Sequence, residues 1–206
     1  MRAHPIPPVT EPLQYRAIGL VRGIYAPSDP EQLTRGTLTD SNGLALETVV
    51  LGRVLTLMRR HLAMDEAHLW VVYPRCRESD HLHLQIAGVW APSTLSPDQA
   101  DADDSLPEGD DYFSIRGELI FTKPETGEIV VKVRQQPRAD GSRPLPFKLQ
   151  VKGDLPLEHL RHFVSLDLRR QGQELHLESH EVIAPMPTRG GKSKSGRGRS
   201  VSRARA

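Results

Sequence analysis

The chain has 206 residues, enough for two small domains or one larger one. Charged residues make up 26% and hydrophobic residues 37%, and the lone cysteine, Cys76, excludes an intrachain disulfide framework and favours a reducing compartment. No stretch reaches the roughly 18 apolar residues of a membrane helix, and residues 1–15 lack the apolar core of a secretory signal, so we expect a cytoplasmic protein with no membrane partner.

The net charge of +1 conceals a strong segregation of charge along the chain. The last 18 residues carry seven Lys or Arg and no acidic residue. The rest of the chain has 20 basic and 26 acidic side chains, and seven of the acids fall between Asp98 and Asp111. Such an asymmetry predicts a tail with a partner of its own.

The first half opens with a proline-rich, extended lead-in over residues 1–14 and continues as a predicted domain over residues 15–91. Alternating apolar residues predict strands, Asn42-Gly43 predicts a hairpin turn, and apolar residues at three- and four-residue spacing predict a helix. The predicted strands are 15–25, 36–39, 44–51, 69–73 and 82–90, and the predicted helix is 53–62.

Residues 92–111 are rich in proline and acid and poor in apolar side chains, so we interpret them as a linker or a long mobile loop. The same order of elements then returns over residues 112–187, with a shorter helix at 155–162. Residues 188–206 contain mainly Gly, Ser, Arg and Lys, and we expect them to be a disordered basic tail.

The two halves also share a short motif in their first strands, Val21-Arg22-Gly23 and Ile115-Arg116-Gly117. A glycine inside a strand pattern indicates a bulge, a tight bend or a close approach of backbone. The order strand, two-stranded hairpin, helix, strand, strand resembles that of the OB-type barrel, which has five strands and a helix between the third and fourth. We therefore predict a mostly β protein with two OB-like barrels, the alternative being one larger β-sandwich.

A basic face is predicted on the second barrel. If Val131, Val133, Leu149 and Val151 point inward, the intervening cations point outward together. A barrel face of this kind is where OB-type folds hold single strands of nucleic acid. The residues of the predicted face are Lys132, Arg134, Lys148 and Lys152.

The tail supplies a second set of candidate phosphate-binding groups. Clustered cations attract polyanions through release of counterions, independently of base sequence. These candidates are Arg189, Lys192, Lys194, Arg197, Arg199, Arg203 and Arg205.

No motif in the sequence indicates catalysis. The phosphate-binding Walker loop, the Gly-x-Ser-x-Gly elbow and the zinc motif His-Glu-x-x-His are all absent. His81 and His83 lack cysteine or carboxylate partners at metal-binding spacing. We therefore expect a non-enzymatic protein without a metal or cofactor.

Three stretches, Leu69–Arg75, Ile86–Trp90 and Phe113–Gly117, resemble parts of an uncharacterised cyanobacterial protein family. The resemblance covers about residues 15–183 and implies no particular site residues. From the residues themselves we predict binding of RNA or single-stranded DNA. The alternative is an interaction or assembly module whose tandem barrels bind a partner protein, and the sequence leaves the oligomeric state open.

Overall fold

The computed structural model describes residues 4–77, 81–95 and 104–187. Ten strands lie in these ranges with two α-helices and one 3-10 helix. The first half contains β1 (Arg16–Asp29), β2 (Gln32–Thr39), β3 (Ala45–Val50), α1 (Gly52–His61), β4 (His68–Arg77), β5 (His81–Trp90) and α2 (Pro92–Leu95). The second contains β6 (Tyr112–Lys123), β7 (Glu128–Val133), β8 (Phe147–Lys152), the 3-10 helix (Leu157–His159), β9 (His162–Gln171) and β10 (Glu174–Pro185).

Each half closes into its own five-stranded barrel. In the first, the strand order is β1-β2-β3-β5-β4 and β4 returns to β1, while in the second β6-β7-β8-β10-β9 returns to β6. The third and fifth strands of each barrel pair in parallel, and the other neighbours are antiparallel. This is the OB topology. The two-barrel prediction is confirmed and the single-sandwich alternative is wrong, because each half pairs its first strand on both edges.

The shared glycine marks the point where each first strand changes partner. Strand β1 pairs with β4 up to Gly23 and with β2 from Ile24 onward. Strand β6 pairs with β9 through Glu118 and with β7 from Glu118 onward. A Cβ atom at Gly23 would lie 2.5 Å from the Thr39 carbonyl oxygen, and one at Gly117 would lie 2.5 Å from that of Lys132. The predicted close approach of backbone is confirmed in both barrels.

The helices differ between the barrels. Helix α1 buries Val54 and Met58, and its last turn carries Arg59, Arg60 and His61, which suit the negative end of the helix dipole. The helix predicted for residues 155–162 is reduced to a three-residue 3-10 turn. The reason is local: the backbone is extended at Pro156 and Leu160, with ψ values of 146° and 139°, and Arg161 has a positive φ, so helical geometry is confined to the residues between them.

The barrels join edge to edge through their first strands. Residues Arg16 to Gly19 pair with Phe113 to Arg116 in antiparallel register. The Phe113 ring lies against Gly19 so closely that any side chain at Gly19 would overlap it. One buried apolar cluster runs through both barrels and includes Trp70 and Phe113. The relative position of the barrels is therefore fixed by backbone pairing and by a common core.

A buried ion network forms a second connection between the barrels. Arg170, at the end of β9, lies 2.8 Å from Asp40 in the β2–β3 turn and 2.7 Å from Asp111. The side chains of Arg170 and Asp40 are only 2% and 5% exposed. The Arg170 guanidinium also donates to the Gly172 carbonyl oxygen. Because water hardly reaches Arg170 and Asp40, their charges depend on each other.

The lead-in and the described end of the predicted linker pack on the outside of the first barrel. Ile6 is buried against Ile18, Leu20 and neighbouring strand residues, and Leu106 packs against the same cluster. The arginine of each repeated motif holds one of these segments. Arg22 donates to the Asp110 carboxylate, and Arg116 donates to the Pro12 carbonyl oxygen. Thus residues 104–111 make specific contacts, whereas residues 96–103 lie outside the described ranges, and the predicted domain boundaries stay a prediction.

Candidate nucleic-acid interface

The predicted basic face lies on β7 and β8, the second and third strands of the second barrel. Val131 and Leu149 are buried in the barrel, and Lys132 pairs directly across from Lys148. Side chains alternate along a strand, so both lysines point away from the barrel interior. Lys152 lies at the other end of β8 opposite Glu128, and Arg134 follows the last residue of β7. The strand register therefore places Lys132 and Lys148 together and Lys152 one strand length away.

Acidic neighbours modify the charge of this face. Lys132 lies 2.5 Å from the Glu118 carboxylate, and Arg134 lies 4.0 Å from the same group. Lys152 lies 3.9 Å from Glu174. Within the part of the chain that the structure describes, Lys148 is exposed and has no ion pair. The Lys152–Glu174 pair is exposed and contributes only about 0–1 kcal/mol, so a phosphate can compete for Lys152. Glu118 is only 17% exposed, so it holds Lys132 more firmly than a surface carboxylate would.

The phosphate-binding residues predicted in the tail are not among the residues that the structure describes. They are Arg189, Lys192, Lys194, Arg197, Arg199, Arg203 and Arg205.

A second cationic surface lies between the barrels, and the sequence did not reveal it. It is a groove of about 380 Å³, here called the Arg-aromatic groove. The first barrel contributes the start of β1 and the middle of β4, the second contributes the end of β7 and the start of β8, and the lead-in completes the lining. The polar and aromatic lining residues are Gln14, Tyr15, Arg16, Tyr73, Arg75, Arg134, Gln135, Gln136 and Phe147.

The charge of the Arg-aromatic groove is of one sign. Three arginines line it, and none of its described lining residues is acidic. Burial lowers the pKa of Arg75, and burial together with repulsion from Arg116 lowers the pKa of Arg16. Arginine remains a cation despite such shifts. Burial is the largest cause of both shifts, so these two cations are partly removed from water.

Aromatic rings in the groove already stack with arginine. The Arg75 guanidinium carbon lies 4.0 Å from the centre of the Phe147 ring, a contact that crosses between the barrels. The corresponding distance from Arg134 to the Tyr15 ring is 5.7 Å. Tyr15 also packs edge-on against the buried Phe163 ring, with centroids 5.0 Å apart. These contacts hold flat, partly exposed surfaces of aromatic and guanidinium groups in place.

Sequence reasoning missed this groove for a definite reason. Tyr15 and Arg16 are adjacent, but Tyr73 and Arg75 belong to a second stretch of the chain and Phe147 to a third. They meet because β1 pairs with β6 and because β4 packs next to β8. Neither contact leaves a signal in the local pattern of residues.

Another cavity of about 370 Å³ contrasts with the Arg-aromatic groove. Apolar side chains form much of its lining, including Leu82 of β5 and Ile129 and Val151 of the second barrel. Its charged lining residues are Glu128, Glu174 and Lys152. Two carboxylates beside one ammonium group are poorly suited to a polyanion, so this cavity is the weaker candidate for phosphate.

The described residues offer no group of three or more His, Cys, Asp or Glu arranged to hold a metal ion. His83 is buried in β5 and His81 is exposed. Across the same described ranges, no helix has the length and apolar character needed to cross a membrane.

Comparison with protein families agrees with the topology. Residues 17–97 match a model described as "PatR RNA-binding protein, N-terminal OB-fold domain". Residues 115–184 match one described as "Cyanobacterial OB-fold-like RNA-binding domain, C-terminal". The chain belongs to a cyanobacterial family of tandem OB-fold proteins. No curated protein sequence matches it.

Membership of this family confirms two predictions made from the sequence. The resemblance to a cyanobacterial family and the tandem OB-type barrels both hold. Both matched domains are of a type described as RNA-binding, so the protein has a nucleic-acid-binding function. The matches begin within β1 and β6, the two strands that carry the repeated motif.

Proposed function

We propose that the protein is a non-enzymatic, cytoplasmic RNA-binding protein that holds a single strand on the outer face of β7 and β8. The observation that supports this most directly is the cross-strand pair Lys132 and Lys148 on the second and third strands of an OB barrel. That face is where OB-folds bind oligonucleotides. Arg134 and Lys152 extend it at either end and would contact further phosphates.

The acidic neighbours of the face give the proposal a physical cost that can be estimated. When phosphate binds, it must replace the Glu118 carboxylate as the partner of Lys132 and Arg134, and it must replace Glu174 as the partner of Lys152. The exchange at the exposed Glu174 replaces a contact worth about 0–1 kcal/mol, whereas the exchange at the mostly buried Glu118 costs more, so the net gain per cation is small. Affinity then comes from several contacts acting together and from the release of counterions. Lys148, which is free of this competition within the described ranges, should contribute the most.

The basic tail supplies additional affinity in this proposal. Its seven cations, from Arg189 to Arg205, carry no acidic neighbour in sequence. A segment of this composition binds the phosphate backbone without reading bases. Removing it should weaken binding to all RNA sequences alike and leave the preference for single strands to the barrels.

The test is a titration of full-length protein into fluorescein-labelled single-stranded RNA of about 12 nucleotides, followed by anisotropy at several salt concentrations. The logarithm of affinity should fall linearly with the logarithm of salt, at about 0.7 per phosphate contact. Deletion of residues 189–206 should flatten the slope. Changing Lys132, Arg134, Lys148 and Lys152 together to Ala should flatten it further, and a duplex RNA of the same length should compete poorly.

A matched control guards against nonspecific loss of charge. Arg59→Ala combined with Arg60→Ala removes two exposed cations from α1, on the first barrel, and should leave the salt slope unchanged. Asp110 and Asp111 pair with Arg22 and Arg170, so the titration is repeated with only Asp98, Asp101 and Asp103 changed to Asn, which removes acidic charge from the predicted linker without breaking those pairs. If neither form binds RNA at about 50 mM salt, the proposal fails, and a partner-protein function for the tandem barrels replaces it.

A further inference from the structure

The Arg-aromatic groove combines features that the outer face of β7 and β8 lacks. The outer face presents three lysines and Arg134, whereas the groove presents three aromatic rings beside three arginines, of which Arg134 is shared with the face. Ammonium groups attract phosphate but offer no flat surface. Aromatic rings and guanidinium planes offer a surface on which any base can stack.

The size and position of the groove suit part of a nucleic-acid strand. Its volume of about 380 Å³ falls in the range of about 300 to 1,000 Å³ that is usual for small-molecule ligand sites. Arg134 lines the groove and also follows directly after the β7 strand that carries Lys132. A strand that reaches Arg134 along the face is therefore at the mouth of the groove.

The electrostatics of the groove favour an anion. Arg16 donates to the Pro7 carbonyl oxygen and Arg75 donates to that of Pro74, and both of these acceptors are uncharged. Both arginines are partly buried. A phosphate can form two parallel hydrogen bonds with an arginine, and this would supply the missing negative charge.

From these observations we propose that the groove between the barrels is a nucleotide-binding site for single-stranded RNA. One base stacks against the ring of Phe147 or Tyr73, and the flanking phosphate pairs with Arg75 and Arg16. The side-chain amide of Gln136, which is exposed at the edge of the groove, can donate to and accept from the edge of that base. The inference rests on the proposed RNA-binding function and adds the element that recognises bases.

The groove is built from residues of both barrels. Arg75 belongs to the first barrel and Phe147 to the second, and they are in contact. Tyr15 directly follows the lead-in, and the Pro12 and Gln14 carbonyl oxygens of the lead-in accept hydrogen bonds from Arg116 of the second barrel. A single barrel contains only part of this site, so base stacking requires both barrels in their observed positions.

The test separates stacking from charge by comparing two probes of equal length. One is a single-stranded RNA of about 12 nucleotides and the other is an abasic sugar-phosphate oligomer with the same number of phosphates. Wild-type protein should bind the RNA at least about tenfold more tightly than the abasic probe. Combined Tyr73→Ala and Phe147→Ala substitutions should reduce that ratio toward one while affinity for the abasic probe is kept. Arg75→Gln should weaken binding of both probes, and Arg60→Gln on α1 is the matched control that should weaken neither.

A measurement on the unmodified protein protects the test against misfolded variants. RNA containing 5-iodouridine is cross-linked to wild-type protein by ultraviolet light, and the cross-linked peptides are identified by mass spectrometry. Cross-links at Tyr15, Tyr73 or Phe147 support the groove. Cross-links confined to β7 and β8 outside it, or a wild-type preference for RNA over the abasic probe of less than about twofold, overturn the groove and leave the proposed function standing. Failure of the wild type to bind either probe overturns both.

Discussion

Substitution of Arg170 by Ala offers the sharpest test of how the two barrels are held together. The Arg170 side chain is 2% exposed and contacts Asp40, which is 5% exposed, and Asp111, which is 29% exposed. Without the guanidinium group, the Asp40 carboxylate remains buried without its cation. Breaking a buried ion pair in this way costs about 3–5 kcal/mol. For a chain of this length the loss corresponds to a fall in Tm of roughly 6 to 20 °C.

The assay is urea unfolding followed by circular dichroism, with thermal unfolding as a second readout. Arg22→Ala is the matched control, because Arg22 also pairs with an aspartate, Asp110, but the two side chains are 39% and 42% exposed. Removing that exposed pair should cost about 0–1 kcal/mol. A loss below about 1 kcal/mol for Arg170→Ala, equal to the control, would refute the reasoning.

A second substitution identifies the physical cause of the loss. In Asp40→Asn the side-chain oxygen can still accept from the backbone N–H groups of Asn42 and Leu44, but the buried charge is gone. The combined Arg170→Ala and Asp40→Asn variant should therefore be more stable than Arg170→Ala alone by about 1 kcal/mol or more. If the two losses instead add, the unpaired carboxylate is not the source of the instability.

Three further predictions follow from the same contacts. Gly23→Val and Gly117→Val should each lower the free energy of unfolding by about 1–3 kcal/mol, because a Cβ would meet backbone oxygen at 2.5 Å, and unchanged urea midpoints would contradict this. Gly19→Val should displace the Phe113 ring and speed amide hydrogen exchange across the β1–β6 pairing relative to β2–β3; equal protection in variant and wild type would show that the ring can move at no cost. Burial raises the pKa of Asp40, but hydrogen bonds from Arg170 and from backbone outweigh it, so the folded pKa lies below the ordinary 3.8. Asp40 thus adds stability above that pH and loses it as the pH falls through the folded value, and the stability difference between wild type and Asp40→Asn should shrink from pH 6 toward pH 3. A difference that does not change with pH would contradict this pKa shift. Burial raises the pKa of Asp111, so Asp111 contributes less stability as the pH rises, the opposite of Asp40. Wild type and Asp40→Asn both contain Asp111, so its effect largely cancels in the difference between them.

The candidate site was only partly accessible from sequence. Alternation along β7 and β8 was enough to place Lys132 and Lys148 side by side on an outer face, because side chains on paired strands follow the strand register. The acids that neighbour this face, Glu118 and Glu174, come from β6 and β10. Their proximity depends on the closure of the barrel, which alternation within one strand does not encode.

The secondary structure and the type of barrel were determined by the sequence itself. Strand alternation, the Asn42-Gly43 turn and the apolar stripe of α1 are local patterns that can be recognised in the sequence. The order of these elements, repeated in each half, predicts the OB topology. The role of the glycines in the two Arg-Gly motifs could also be predicted, because a glycine within a strand indicates a bulge, a tight bend or a close approach of backbone.

Only the tertiary structure decided how the two barrels face each other. The pairing of β1 with β6, the Arg170–Asp40 contact and the stacking of Arg75 on Phe147 each join residues at least 70 positions apart. Such contacts depend on the shapes and charges of two completed surfaces rather than on the periodicity of any segment. The Arg-aromatic groove exists only between those surfaces, and for that reason the sequence located a basic face but not the place where a base can stack.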